Sequence, residues 1–160
     1  MQIIRQNTSY ALRALLHMAT ADQQDAFSAE QLAQVAGTTT DFMQKIMQSL
    51  RQAGIVTSQR GPSGGFRLAR PPETIALLDV IVAVQGPIAI SRCALGLDLC
   101  DRSPLCPLRG AWTQAQQLIE QSLSQTTLAQ VVASASVAAT SNSCPADQTT
   151  EVSEHVQKNR

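Results

Sequence analysis

Cys93, Cys100 and Cys106 are the residues whose type and spacing most plainly offer chemistry, with six and then five residues between them. A thiolate is both a nucleophile and a soft metal ligand. Three of them on one short stretch containing glycine and proline can wrap one side of a metal site or form a thiol switch. The spacing lacks the paired Cys-x-x-Cys blocks of most structural zinc sites. Met1 to Arg5 has neither the basic segment nor the apolar run of an export signal, and the apolar run Ile75–Val84 is interrupted by Asp79 and too short to span a membrane. The expected location is therefore cytoplasmic, with no membrane partner. Thiols stay reduced there, so clustered cysteines are expected to bind metal or react rather than to pair as disulfides. The fourth cysteine, Cys144, stands apart in a polar C-terminal stretch.

The elements that must position this loop follow from periodicity. Residues 8–20 place Leu12, Leu15, Leu16 and Ala19 at helical spacing, with Arg13 and His17 on another face. Ser28-Ala-Glu-Gln31 has the form of a capping box, with Leu32, Val35 and Ala36 as the buried face and Gly37 as the stop. A second helix is expected from Thr39 or Thr40 to Ala53. Its apolar stripe is Phe42, Met43, Ile46, Met47 and Leu50; its polar face is Asp41, Gln44, Lys45, Gln48 and Arg51. Two short helices across a glycine-containing turn form a helix-turn-helix pattern. Residues 55–59 and 66–70 then read as strands flanking Arg60-Gly-Pro-Ser-Gly-Gly65. A glycine-rich hairpin tip lets backbone N–H groups approach phosphate closely.

The fold class expected is mainly α with a small β-hairpin: a winged helix-turn-helix head followed by a long dimerisation helix. The DNA-facing set is Ser28, Thr39, Asp41, Gln44, Lys45, Gln48, Arg51, Arg60, Ser63, Gly64 and Gly65, with Arg67 beside it. Glutamine can pair with adenine, and lysine and arginine with guanine or phosphate. Net charge is zero, but residues 1–70 carry seven Lys/Arg against four Asp/Glu, and residues 71–160 carry five against eight. A basic head on an acidic body suits a DNA partner.

Beyond Pro71-Pro72, residues 74–84 read as a nearly all-apolar helix. Residues 107–124 read as the longest helix, with Leu108, Ala111, Trp112, Ala115, Leu118, Ile119 and Leu123 on one stripe. A short helix over 127–133 follows. The expected organisation is a DNA-binding domain over 1–72, the loop and dimerisation helix over 73–133, and a disordered tail over 134–160. A homodimer through the 107–124 helix would present two heads to a pseudo-palindromic double-stranded operator. No nucleotide-binding loop or Ser/His/Asp set stands out, and the only histidines are His17 and His155. An enzyme is not expected.

Thr8-Ser-Tyr-Ala-Leu-Arg13, the helix with Phe42, Gln44, Lys45 and Leu50-Arg51, Ala53-Gly-Ile-Val, and above all Ser58-Gln-Arg-Gly-Pro-Ser-Gly-Gly-Phe-Arg-Leu-Ala-Arg70 followed by the three-cysteine loop carry a likeness. The chain resembles the IscR/NsrR/RirA-type bacterial winged-helix iron–sulfur transcription regulators over residues 1–133. The resemblance implies a homodimer holding an iron–sulfur cluster, [4Fe-4S] or [2Fe-2S], through Cys93, Cys100 and Cys106, with operator binding that follows the state of the cluster. Three features depart from it. Many members space their cysteines five and five, whereas the first gap here is six. Where IscR-like members have a ligating histidine three positions after the third cysteine, this chain has Arg109. Where some NsrR-like members have a first-helix carboxylate, it has Ser9. Candidates for a fourth ligand are Asp98, Asp101, Ser9 or Asn7 of a partner subunit, Cys144, or a small molecule. A cluster-free regulator using a thiol switch or Zn²⁺, and an iron–sulfur or interaction module that does not bind DNA, stay open as alternatives.

Overall fold

The computed structural model describes residues 3–21, 25–59, 61, 64–88 and 107–140. The three loop cysteines, Cys144, Arg60, Ser63 and residues 141–160 of the expected tail lie outside them.

The chain opens with α1 (Gln6–Thr20), which buries Ala11, Ala14, Leu15 and Met18. Against it lie α2 (Ala29–Ala36) and α3 (Thr40–Gln52). Helices of eight and 13 residues are too short to persist alone in water, so their stability comes from the faces they bury on α1. Both have real start signals. Ser28 Oγ accepts the Gln31 N–H at 3.1 Å and Gln31 Oε1 accepts the Ser28 N–H at 2.8 Å, closing the capping box. Thr39 caps α3 by accepting the Phe42 N–H at 3.4 Å. Between the helices Gly37 sits at φ 77° and ψ 43°, a left-handed conformation that ends α2 and that glycine adopts without a Cβ penalty. Arg13 reaches over from α1, its Nη1 donating to the Ala36 carbonyl at 3.2 Å. A cation there complements the negative end of α2.

Strands β1 (Val56–Gln59) and β2 (Gly65–Leu68) form the antiparallel wing, in the register Val56–Leu68, Thr57–Arg67, Ser58–Phe66 and Gln59–Gly65. On its other edge β2 is paired with Phe27, the residue just before the α2 cap. Phe27 and Phe66 exchange both backbone hydrogen bonds at 2.8 Å.

The expected helix from Thr74 begins later. Pro72–Thr74 is a single 3₁₀ turn, and α4 runs Leu77–Gln85. Ile75 and Ala76 are extended instead, and this stretch pairs with 126–128: the Leu128 N–H donates to the Ile75 carbonyl at 3.0 Å and the Leu77 N–H to the Thr126 carbonyl at 2.9 Å. The chain leading into α4 is thus stitched to the chain leading into α6. After α5 (Pro107–Gln125), α6 spans Leu128–Thr140 rather than stopping near Ala133, so the first residues assigned to a disordered tail are helical. The helix packs on α1 and the 3₁₀ turn.

One continuous core joins Leu15, Leu32, Met43, Met47, Leu50 and Ile55 of the head to Ile75, Val80 and Leu128. It therefore runs across the expected boundary at residue 72. A smaller cluster of Ile81 and Ile88, with Leu78, Trp112, Ile119 and Leu123 against it, seats α5 on α4. Three residues expected in apolar stripes are exposed: Val35 at 43%, Phe42 at 39% and Leu118 at 65%. Each lies at the edge of its stripe. In α2 it is Ala33 that faces inward in place of Val35. No described helix is long and apolar enough to cross a membrane.

Candidate DNA-binding face

Helix α3 is divided along its length by its own periodicity. Met43, Ile46, Met47 and Leu50 are buried, and Asp41, Gln44, Lys45, Gln48 and Arg51 stand on the solvent side. The buried side anchors the helix, so the exposed side is presented from a rigid element. Its donors and acceptors suit base edges: the glutamine carboxamides can be bidentate, and Lys45 supplies a charge for guanine or phosphate.

Other residues of the expected set have local tasks as well. Ser28 and Thr39 use their hydroxyls as helix caps, which orients the two helices. Arg51, at the end of α3, donates from Nη1 to Ser58 Oγ on β1 at 3.2 Å. It ties α3 to the wing. On the wing itself Arg67 Nη2 donates to Gln59 Oε1 at 2.6 Å, a cross-strand contact that stiffens the hairpin below its tip. At the tip the Gly64 N–H donates to the Gly61 carbonyl at 2.9 Å. At the base, Arg70 pairs with Asp79 of α4 at 2.9 Å. This exposed ion pair is worth at most about 1 kcal/mol, but it fixes a direction for the wing relative to α4.

Gly65 has a structural reason for being glycine. A Cβ built there would lie 2.6 Å from the Phe27 carbonyl oxygen and 2.8 Å from its carbon. The missing side chain lets Phe27 pair with β2. The sequence reading overlooked Phe27, although an apolar residue immediately before a capping box is a signal for such packing. His17 stacks edge-on against the same Phe27, ring centroids 5.1 Å apart, and is half-buried.

A second overlooked group lies where α4 ends. Gln85 Oε1 accepts the Thr8 hydroxyl at 2.7 Å and the Arg5 N–H at 2.9 Å, and Gln85 Nε2 donates to the Ile3 carbonyl at 2.9 Å. Asn7 Nδ2 adds a bond to the Val84 carbonyl at 3.3 Å. Thr8 is fully buried. Among the described residues no group of three or more His, Cys, Asp or Glu could hold a metal ion.

This fold is found in solved structures. CymR (YrzC), the global cysteine regulator of B. subtilis, is 24% identical with a TM-score of 0.67, over 84% of this chain and 98% of that one. IscR of T. potens is 24% identical with a TM-score of 0.64, over 82% and 87%. A protein of Listeria innocua is 28% identical with a TM-score of 0.67, over 81% and 85%. A family described as "Iron-dependent Transcriptional regulator" matches residues 4–134, which takes in the head, the cysteine loop and α5. The chain belongs to this family, the Rrf2 transcriptional regulators.

Proposed function

We propose that this regulator is a cytoplasmic homodimer whose operator affinity is set by an iron–sulfur cluster held by Cys93, Cys100 and Cys106. The observation that carries the reading is the position of the cysteine segment. It joins α4, which packs on α1 and α3, to α5, which packs on α4 through Trp112, Ile119 and Leu123. Any ordering of that segment therefore acts on the elements that aim α3. Pairing through α5 is supported by its length of 19 residues and by Leu118, 65% exposed on the side away from α4's cluster. Two copies would set two α3 helices at a fixed separation for successive major grooves.

The donor set fits a cluster: three thiolates are the ligands that iron–sulfur clusters favour. A bound cluster would supply a redox- and ligand-sensitive centre, with the iron lacking a cysteine as its reactive corner. Asn7 is a poor fourth ligand, because its Oδ1 accepts the Thr8 N–H at 3.0 Å and its Nδ2 is bound to Val84. Arg109, a permanent cation, cannot ligate. Ser9, half-buried at the start of α1, the loop carboxylates Asp98 and Asp101, and Cys144 are left as protein candidates.

A thiol switch on the same cysteines is the second reading, favoured by the likeness to a protein described as a global cysteine regulator. Anaerobic purification followed by absorbance, iron and sulfide analysis separates the two. The expected result is stoichiometric iron and sulfide, with operator affinity differing at least about tenfold between loaded and stripped protein, the equivalent of roughly 1.4 kcal/mol. Equal affinities would sink the cluster as the signal. Reading of bases has its own test. Gln44→Ala should relax the preference at one operator position by about 1–3 kcal/mol, whereas Arg60→Ala should weaken all sequences alike and flatten the salt dependence. A uniform loss for Gln44→Ala would remove it from base readout.

A further inference from the structure

The polar node at the end of α4 has no place in the DNA-reading face or in the cysteine set, yet it links them. Gln85 is the last residue of α4. Gly86, Pro87 and the buried Ile88 follow, and then the segment that contains Cys93. From this position a single carboxamide makes three hydrogen bonds to the start of the chain, to Thr8 Oγ1, the Arg5 N–H and the Ile3 carbonyl. Asn7 binds the neighbouring carbonyl of Val84. None of these groups needs a long-range partner for helix formation. The Arg5 N–H and the Ile3 carbonyl lie before α1, and Thr8 could have been an apolar residue at a site with no solvent exposure. A buried hydroxyl is costly unless its bond is made, so Thr8 holds the start of α1 in one relation to α4.

The consequence follows from what α1 carries. It packs along α2 and α3, and its Arg13 caps α2. The relation of its N-terminal end to α4 therefore bears on how the helix-turn-helix is set. Ile88, just past the node, packs with Ile81 and Trp112, so displacement of the segment beyond it is felt first at the α4 terminus.

We infer that Gln85 is a positioning residue. It locks the start of α1 to the end of α4, so that the setting of the DNA-reading helices follows the state of the cysteine segment that begins just beyond it. The inference rests on the proposed sensing role of that segment, and the test keeps the two apart. Full-length protein is compared as purified anaerobically and with Cys93→Ser, Cys100→Ser and Cys106→Ser combined, each with Gln85 or with Gln85→Leu. Two quantities are read: affinity for the natural upstream DNA, and hydrogen exchange of amides 3–9.

With Gln85 present, affinity and exchange should both differ between the two cysteine states. Gln85→Leu should raise exchange at Arg5 and shrink the affinity ratio by about fivefold or more, the equivalent of one lost hydrogen bond, while iron content and native mass are retained. Gln85→Glu keeps the acceptor for Thr8 and Arg5 and should restore most of the ratio. A Gln85→Leu protein that is less heat-stable but keeps the full ratio overturns the inference, since a merely structural role predicts that pattern. If one affinity is found in both cysteine states, the sensing role fails and exchange decides: protection at 3–9 that still follows the cysteines supports the lock, and identical protection overturns it. Should Gln85→Leu fail to fold, Thr8→Val removes one of the three bonds and is judged by the same two readings.

Discussion

Gly65→Ala will unseat the wing. The added methyl carbon would meet backbone atoms of Phe27 at 2.6, 2.8 and 3.1 Å, and no rotamer change can relieve a clash with backbone. Either β2 slides away from Phe27, losing both 2.8 Å hydrogen bonds, or the segment before α2 moves and takes the Ser28 cap with it. Two backbone bonds and the packing of the partly buried Phe27 and Phe66 on the core are at stake. The expected loss is about 2–4 kcal/mol in urea unfolding. DNA affinity should fall for specific and random sequences alike, because a displaced wing loses backbone contacts rather than base contacts. A loss below about 0.5 kcal/mol would show that the strand has room to slide, and would return Gly65 to the role of a tip residue chosen for phosphate approach.

Leu50→Ala is expected to cost about 2–5 kcal/mol, a large part of the roughly 5–15 kcal/mol that holds a domain of this size. Leu50 is fully buried between α3 and the rest of the head core, and its carbonyl also accepts the Ile55 N–H at 3.0 Å where the chain turns into β1. Truncation leaves a cavity that the surrounding core only partly fills. The urea midpoint should drop with an unchanged slope, as befits a change in stability alone. Phe42→Ala is the informative comparison. Its sequence period puts it in the same stripe, but it is 39% exposed and meets Tyr10 edge-on, ring centroids 6.2 Å apart. Its truncation should cost only about 0.5–1.5 kcal/mol. Equal losses for the two variants would mean that α3 is rotated from the orientation described, and that the exposed face of Gln44, Lys45 and Gln48 is not the one presented.

Both predictions turn on facts at the limit of what pattern reading reaches. The capping box at Ser28, the Gly37 stop and the α3 stripe from Met43 to Leu50 are local: each depends on residues within a turn or two, so their order is written in the chain. The wing is nearly as legible, since two short alternating runs around Gly61-Pro-Ser-Gly-Gly65 leave few other pairings. Stripe edges are less so. Period alone puts Val35, Phe42 and Leu118 among the apolar residues of their helices, but whether an edge position is covered depends on the diameter and angle of the neighbouring element.

By itself, then, the sequence determined the helix-turn-helix and wing, the polar set Asp41 to Arg51 on one side of α3, and the grouping of Cys93, Cys100 and Cys106 between two helices. Short-range hydrogen bonding and the 3.6-residue period suffice for these. Only the tertiary structure decided that Phe27 bridges to the free edge of the wing and that Gly65 is small to admit it. It alone joined residues 75–77 to 126–128, delaying α4 and merging head and body in one core. It alone brought Gln85 to Thr8 across 77 residues of chain. The physical reason is common to all three. Each pairs backbone or carboxamide groups remote in sequence, and such pairs have no period and no composition by which to be read. They become visible only when the helices have packed and the unsatisfied donors and acceptors at their ends must find partners.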